Sequence, residues 1–551
     1  MTFSDNVQLN LKDYSSSCFI WMCENFIGAE VMRMIQQEPS IISEIPDDHD
    51  ACQTFPLNWA CRHDRVEIVR LLLRNPRVNP SLYCNFAIRW ASENGHRDIV
   101  ESLLLDTRVN PAALNNEAIR SAAKEGYLKI VKMLLQDPRV DPSSKNDEAF
   151  RSASEFGHRQ TFNLLYRDHR VNPSAYDNYA IRKASENGHM DIVDLLLQDP
   201  RVDPSADNNF SICIASMNGD AEIFNMLFYH HGMSPVTANN EPLRLAAKHG
   251  HKNIVEILLQ DSRVNPSDLE NEAIRFSSGK GHTEVVKLLL QDSRVNPSDK
   301  NNEAIQLASQ NGHAEVVKLL LQDSRVDPCA NDNNTILMAS ANGHVDVVKL
   351  LLQDFRVNPA AEDNTAIGLA SEKGHAHVVE LLLKDSRVDP AAANDYAFRN
   401  AIENGHTDVV RLLLQEYSVN HSYDDSLAIR IASELGYAEI VKSLLDHEDC
   451  NIDPTADYNF AIRWACKKGH SEIVKLLLQK PTVNPSAGDN EALRFAILYD
   501  YPDIVEMLID DYRVDPTVEE NWALRWAREK GYFKIVQKLE AEDQNIHARE
   551  E

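Results

Sequence analysis

The chain has 551 residues, of which 56 are lysine or arginine and 84 are aspartate or glutamate, so its formal net charge is -28. This acidic excess argues against nucleic acid and anionic membranes as ligands, because both are bound through clustered lysine and arginine. Nine cysteines, odd in number and scattered, predict reduced thiols in an intracellular protein of the cytoplasm or the nucleus.

The first fifty residues lack the basic and apolar pattern of a secretion signal, and no stretch is apolar for long enough to span a membrane. We therefore expect a soluble chain that is not secreted. Residues 1–50 include the amphipathic segment FIWMCENFIGAEVMRMIQQ, which predicts a helical cap or a degenerate first repeat. Residues 541–551 are polar and predict a tail.

Residues 51–540 repeat one pattern with a period of 31 residues, broken by a single two-residue insertion between Leu445 and Pro454. A fixed period of this size predicts small supersecondary units that bury their apolar faces against one another. Sixteen units fit, so we expect one long, curved array. Its marker is a glycine, found at Gly95, Gly126, Gly157, Gly188, Gly219, Gly250, Gly281, Gly312, Gly343, Gly374, Gly405, Gly436, Gly469 and Gly531.

Residues 301–332 show how one unit is organised. Asn302 precedes an apolar helical pattern and is predicted to be its N-cap. Gly312 is predicted to end this helix in a left-handed conformation, which the aspartates in the same register, Asp64 and Asp500, also tolerate. A second amphipathic helix follows, and Pro328 predicts an extended connector after it.

The segment from Glu241 to Leu259, EPLRLAAKHGHKNIVEILL, resembles the ankyrin repeat in its Pro-Leu, paired alanines, Gly-His and Ile-Val-x-x-Leu-Leu. The resemblance covers roughly residues 50 to 540 and implies an all-α solenoid of stacked helix-turn-helix repeats with short extended connectors. Most units read Asn-x-Ala-Ile-Arg where that family has Thr-Pro-Leu-His, and they are shorter, so we expect a shorter and stiffer connecting hairpin.

By this resemblance the chain is expected to be a monomeric, non-enzymatic scaffold or adaptor that binds proteins through hairpin tips and first helices on its concave face. The tryptophans share one helical register in which other units carry Leu307 and Met338, so packing between units is expected for them, with partner binding as the alternative. The candidate partner-binding residues are Tyr83, Trp90, Glu93, Asn94, Tyr176, Glu186, Asn187, Leu269, Lys300, Tyr423, Tyr458, Trp464, Lys467 and Trp526.

Three polar features recur at fixed positions of the repeat. Histidines after the repeat glycine are expected to bond within turns, since stacked copies stand about 8 to 10 Å apart and cannot share a zinc ion. First-helix arginines are expected to pair with carboxylates of adjacent units, not to form a cationic track. Paired Asp-x-Arg residues, such as Asp323 and Arg325, are expected to be solvated connector charges.

Two further functions are alternatives to the scaffold. A substrate-recognition subunit of a ubiquitin ligase is the alternative, in which residues 1–50 would form the docking helices. The sequence argues against an enzyme, because it has no phosphate-binding glycine loop, no nucleophile motif and no paired-cysteine metal site. No cofactor or metal is expected. The irregular segment from Asp220 to Pro235 and the insertion near Leu445 predict local changes of stacking angle.

Overall fold

The computed structural model describes residues 56–76, 78–231, 233–234, 236, 239–416, 425–447 and 452–550. The predicted cap at residues 1–50 lies outside this part of the chain. Among the described residues the structure is helical, with no strand. The chain divides into two compact units, Met1–Asp268 and Leu269–Glu551, and each is an all-α solenoid of stacked two-helix repeats.

Helices are numbered here in chain order. Those of the first unit are α1 (Pro56–Arg62), α2 (Val66–Arg74), α3 (Leu82–Glu93), α4 (Arg97–Leu104), α5 (Ala113–Lys124), α6 (Leu128–Leu135), α7 (Ser144–Glu155), α8 (Arg159–Tyr166), α9 (Ala175–Glu186), α10 (Met190–Leu197), α11 (Ala206–Asn218), α12 (Ala221–Phe228), α13 (Glu241–His249) and α14 (Lys252–Gln260).

The helices from the unit boundary onward are α15 (Asp268–Gly279), α16 (Thr283–Gln291), α17 (Asp299–Gln310), α18 (Ala314–Leu321), α19 (Ala330–Ala341), α20 (Val345–Gln353), α21 (Ala361–Glu372), α22 (Ala376–Leu383), α23 (Ala392–Glu403), α24 (Thr407–Glu416), α25 (Asp425–Leu435), α26 (Ala438–Asp446), α27 (Ala456–Lys468), α28 (Ser471–Leu478), α29 (Ala487–Leu498), α30 (Pro502–Ile509), α31 (Val518–Lys530) and α32 (Phe533–Glu550).

Within each unit the helices form two layers. Odd-numbered helices, the first of each repeat, pack against the odd-numbered helices of neighbouring repeats, and even-numbered helices pack against even-numbered ones. Ile305 and Ala308 of α17 and Val317 and Leu320 of α18 are fully buried between the layers. Burial of each large aliphatic side chain stabilises the fold by roughly 1.5 to 3 kcal/mol relative to exposure. The predicted apolar periodicity is therefore confirmed.

The repeat glycine adopts the left-handed conformation that the sequence predicts. Gly312 has a φ of +80° after α17. Asp64 and Asp500 occupy the same register with φ values of +54° and +64°. Glycine is favoured here because any Cβ makes this region of backbone space costly, and aspartate is among the few tolerated substitutes.

A second left-handed element was not predicted. Immediately before the right-handed part of most described first helices, three consecutive residues have positive φ, for example Lys300, Asn301 and Asn302 at +55°, +54° and +64°. Each such residue costs about 1 to 2 kcal/mol in an L-peptide, so the turn needs specific support. The complete left-handed turns are 83–85, 114–116, 145–147, 176–178, 207–209, 269–271, 300–302, 331–333, 362–364, 393–395, 457–459 and 488–490.

The third position of these turns explains why the N-cap prediction for Asn302 is wrong. Asn302 is itself left-handed and buried, and its Oδ1 accepts a hydrogen bond from the backbone N–H of Asp327, at 2.8 Å. The side chain thus fastens the turn to the next connector, 25 residues later, and not to its own helix. The equivalent acceptors are Asn85, Asn116, Asp147, Asn178, Asn240, Asn271, Asn333, Asn364 and Asn459.

The irregular places are described only in part. Residues 232, 235, 237–238 and 448–451 lie outside the described residues, so the expected changes of stacking angle stay predictions. Helix α32 continues to Glu550, into the segment predicted to be a tail. The cysteines of the described part, Cys61, Cys84, Cys213, Cys329 and Cys466, are free thiols. No described helix combines the length and apolar character that crossing a membrane requires.

Candidate functional site

The repeat histidines join one repeat to the previous one. His344 Nε2 donates to the carbonyl of Gln310, at 2.9 Å. Its ring lies over Gly312, where an added Cβ would stand 2.6 Å from His344 Nδ1. The expected structural role is therefore confirmed, but the bond joins two repeats and does not lie within one turn. The same bond is made by His158, His189, His251, His313, His375, His406 and His470.

The first-helix arginines support the left-handed turns. In α5, Arg120 donates to the carbonyls of Leu114 and Asn115, the first two residues of its own turn, at 3.2 and 2.9 Å. Its Nη1 also bonds Glu148 of the next repeat at 2.7 Å. The expected pairing between units is thus confirmed. The same pairs form between Arg89 and Glu117, Arg275 and Glu303, and Arg463 and Glu491.

In some repeats an aromatic ring replaces the partner glutamate. Arg151 lies 4.8 Å from the ring centre of Tyr179, and Arg182 lies 5.8 Å from that of Phe210. A guanidinium over a ring face gains roughly 0.5 to 2 kcal/mol. The pKa of Tyr179 is raised to about 12, mainly because the side chain is partly buried and next because it donates a hydrogen bond to Glu155. At this register some repeats thus place a carboxylate against the arginine and others an aromatic ring, and Arg182 in addition pairs with Asp207 at 2.7 Å.

The Asp-x-Arg pairs are not merely solvated, contrary to the expectation from sequence. The guanidinium of Arg325 donates two hydrogen bonds to Asp323 and one to the carbonyl of Val295, in the previous connector, at 2.7 Å. The Arg325 hydrogen bonds hold the pKa of Asp323 below its usual value. The link to the previous connector recurs at Arg108, Arg139, Arg170, Arg356, Arg387 and Arg513.

The residue at the first position of the left-handed turn differs from repeat to repeat. Tyr83, Leu114, Tyr176 and Leu269 are exposed there, Tyr176 by 60 %. Lys300 is exposed as well, and it pairs with Glu270 at 2.5 Å. The side chains of these turns and the exposed side of the odd-numbered helices together form what we call the turn-side face.

The candidates at the end of the first helix divide into two groups. Glu93 and Asn94 are exposed. Asn187 is also exposed, but its Nδ2 donates to the carbonyl of Glu155 in the previous repeat, at 2.9 Å. Glu186 is partly buried and pairs with Lys183 at 2.5 Å. Tyr423 lies outside the described residues. Glu93 and Asn94 are therefore the neighbouring candidates of this group that are both exposed.

The three candidate tryptophans share a register but not an environment. Trp526 is only 7 % exposed and packs on Tyr532, with ring centres 5.1 Å apart, so its side chain is not offered to a partner. Trp90 is partly exposed and stacks on Phe86 at 5.6 Å, with Arg62 over its ring at 4.7 Å.

Trp464 has the richest surroundings of the three. It is partly exposed, stacks on Phe460 with ring centres 5.0 Å apart, and lies 3.8 Å beneath the ammonium of Lys467. Phe460 in turn lies 4.8 Å from the guanidinium of Arg430, in the preceding repeat. Tyr458, on the turn that leads into this helix, is 79 % exposed.

The contacts continue into the following repeat. Lys467 Nζ lies 5.2 Å from the ring centre of Phe495, and that ring lies 6.4 Å from Tyr499, which is exposed. Cations and aromatic rings thus form one contiguous series on the turn-side face. We call it the aromatic track, and its members are Arg430, Phe460, Trp464, Lys467, Phe495 and Tyr499.

Sequence reasoning found Trp464 and Lys467 but missed the other members of the aromatic track. A usable signal was present, because Phe460 stands in the register where Glu303 and Glu491 pair with arginines. An aromatic residue at that position indicates that the arginine before it faces a ring. Among the described residues no group of three histidines, cysteines or carboxylates could hold a metal ion.

Comparison with known proteins adds a single positive result. The family model described as ankyrin repeats, three copies, matches residues 19–115, 57–146, 90–177, 178–273, 212–301, 273–363, 305–394 and 429–520. No curated protein matches the chain. The family matches extend over both compact units.

Proposed function

Because the chain belongs to the ankyrin-repeat family, whose repeats are protein-interaction modules, we propose that it is a non-enzymatic, monomeric scaffold or adaptor. It binds partner proteins through the turn-side face. We infer the scaffold role and the binding surface from the way each repeat divides its side chains between internal contacts and the exposed surface.

The proposal is supported by the difference between the residues that contact neighbouring repeats and the residues that are exposed. Residues that recur in many repeats bond between repeats: His344 donates to the carbonyl of Gln310, Asn302 accepts from the N–H of Asp327, and Arg325 donates to the carbonyl of Val295. The first position of the left-handed turn, where residues differ, is exposed and often apolar. Exposed aromatic and large aliphatic side chains on a rigid support are typical of protein-binding surfaces.

The arrangement also favours a protein over a small molecule. Turn residues of successive repeats, such as Tyr83 and Leu114, stand on separate repeats and are both exposed. Small-molecule sites need polar and apolar groups that converge in one concavity. A row of single side chains, one on each repeat, instead suits an extended partner surface that contacts several repeats at once.

The experiment is co-purification of partners from native extract with quantitative mass spectrometry. The test variant carries Tyr83→Ser, Leu114→Ser and Tyr176→Ser, which remove apolar side chains from three turns of the first unit. We expect partners captured by the wild-type chain to fall several-fold, because truncation of an interface anchor typically costs about 2 kcal/mol or more.

The matched control variant carries Leu105→Ser, Met190→Ser and Tyr229→Ser. These residues are exposed apolar side chains of the same unit, but they lie on or directly after even-numbered helices. Circular dichroism establishes that both variants are folded. Unchanged capture by the turn variant, or an equal loss with the control, would rule out the turn-side face as the binding surface.

A further inference from the structure

We infer that the aromatic track binds an acidic segment of a partner protein, in which carboxylates flank one large apolar side chain. This inference rests on the proposed function and adds to it a location and a partner chemistry. It comes from two lysines at the end of α27, Lys467 and Lys468, and from the rings around them.

The two lysines keep their charge unneutralised. Within the described residues, no carboxylate forms an ion pair with Lys467 or Lys468. By contrast, the neighbouring arginines are engaged, because Arg430 pairs with Asp457 at 3.4 Å and Arg463 pairs with Glu491. The contact of Lys467 with Trp464 lowers the energy of the cation but leaves its full positive charge available to a carboxylate.

No other repeat has two lysines in this register. Other repeats carry at most one lysine there, as in Lys124 and Glu125, and some carry none, as in Gln310 and Asn311. In a chain of net charge -28, a pair of adjacent lysines without acidic partners is a local exception. Charge complementarity at an interface selects partners and steers association, so this exception specifies an acidic ligand.

The rings supply the apolar half of the site. Trp464, Phe495 and Tyr499 belong to one series of contacts with Lys467, and Leu498, 64 % exposed, lies between the last two in sequence. Tryptophan and tyrosine are the residues that most often anchor binding when a partner covers them. A large apolar side chain of the ligand would pack on these rings while its flanking carboxylates meet the two lysines.

The test uses the full-length chain and a library of displayed random peptides. Peptides are selected on the wild-type chain and on the double variant Lys467→Glu, Lys468→Glu. We expect the peptides that the variant loses to be rich in aspartate and glutamate around one aromatic or aliphatic residue. Individual peptides of this class should bind the variant about tenfold more weakly, and added salt should weaken their binding to the wild type.

The matched control is Lys318→Glu, Lys349→Glu, which makes the same charge change on the even-numbered helices α18 and α20, where both lysines are exposed. Acidic peptides should still bind this control. Peptides that bind the wild type and both variants equally, or lost peptides without acidic enrichment, would overturn the inference. The proposed function would then still stand on the result of the extract experiment with the turn variants.

Discussion

Two regions of the second unit, α17–α22 and α27–α30, share one internal framework. His344 and His470 donate to carbonyls of their preceding repeats at 2.9 and 3.1 Å. Asn302 and Asn459 accept from the connector N–H groups 25 residues later, at 2.8 and 2.7 Å. The bonds between repeats are thus the same in both regions, and they do not depend on which residues occupy the surface.

The two regions differ on the turn-side face. In the register of Trp464, the first region carries Leu307 and Met338. In the register of Phe460 it carries Glu303, which pairs with an arginine. The residues of the turn-side face can therefore differ between repeats while the hydrogen bonds between repeats stay the same. Substitutions of the shared framework should therefore lower stability, whereas substitutions of the aromatic track should alter binding.

The largest loss of stability is expected from Gly312→Ala. The new Cβ would meet the ring of His344 at 2.6 Å in a backbone region that alanine rarely adopts. We expect a loss of about 3 kcal/mol in the free energy of unfolding, about 1 from the left-handed backbone and the rest from displacement of the ring. Urea unfolding followed by circular dichroism measures it.

Gly188→Ala is the matched control, because Gly188 has a similar φ of +75° but no neighbouring atom within 4 Å of the new Cβ. We expect only the backbone cost of about 1 kcal/mol. Equal losses in the two variants would show that the histidine ring does not press on the glycine of the previous repeat.

Asn302→Ala should have the next largest effect. It removes the acceptor of the Asp327 N–H, in a partly buried hydrogen bond, and places alanine at a φ of +64°. We expect a loss of about 2 kcal/mol, chiefly from the unsatisfied N–H. The same urea experiment applies.

Two further substitutions separate the causes. Asn302→Gly keeps the conformational freedom and loses only the oxygen. Asn302→Asp keeps the oxygen, as Asp147 does when it accepts from Asn172 at 3.0 Å in the first unit. A glycine variant as stable as the wild type would mean that the hydrogen bond between turns contributes nothing.

A smaller effect is expected from acid. Hydrogen bonds from Arg201 lower the pKa of Asp199 to about 2. Because the folded-state pKa is depressed, the stabilisation is present above the unfolded value of about 4 and is lost as pH falls towards 2. Asp199→Asn should therefore flatten the pH dependence of the unfolding free energy in that window, by about 1 kcal/mol or less.

Asp194→Asn serves as its control, since it removes the same charge from the exposed side of α10 without touching Arg201. Parallel pH profiles for wild type and Asp199→Asn, measured by urea unfolding, would contradict the proposed role of the Asp-x-Arg pair.

The smallest effect on stability is expected from Tyr458→Ala. This side chain is 79 % exposed on a left-handed turn. We expect a change within about 0.5 kcal/mol in urea unfolding, as for most surface substitutions. A loss as large as that of Asn302→Ala would mean that this region is stabilised differently from α17–α22.

The helices, their buried faces and the left-handed glycines were predictable, because each depends on local sequence and on the period. The left-handed turns were not. Their first two positions carry residues such as Lys300 and Asn301 that vary between repeats, and only the third position, always asparagine or aspartate in the described turns, is a recurrent signal. The hydrogen bond of this side chain to the next connector forms only when adjacent repeats are stacked.

The candidate site was predictable to a similar degree. Register alone placed Trp464 and Trp526 together, but Tyr532 packs on Trp526 and buries it, whereas Lys467 covers only one face of Trp464. The reach of Arg325 to Val295 spans 30 residues and depends on the distance between connectors. Contacts of this kind follow from the stacking of repeats and not from the composition of any one repeat.

Cross-linking mass spectrometry in native extract, with a lysine-reactive reagent, tests most directly whether partner proteins bind the turn-side face. Both surfaces of the second unit carry exposed lysines, so the reagent can report on either one. We expect partner proteins to cross-link to Lys300, Lys467 and Lys468 on the turn-side face. Partner cross-links confined to Lys287, Lys318 and Lys349 on the even-numbered helices would contradict it.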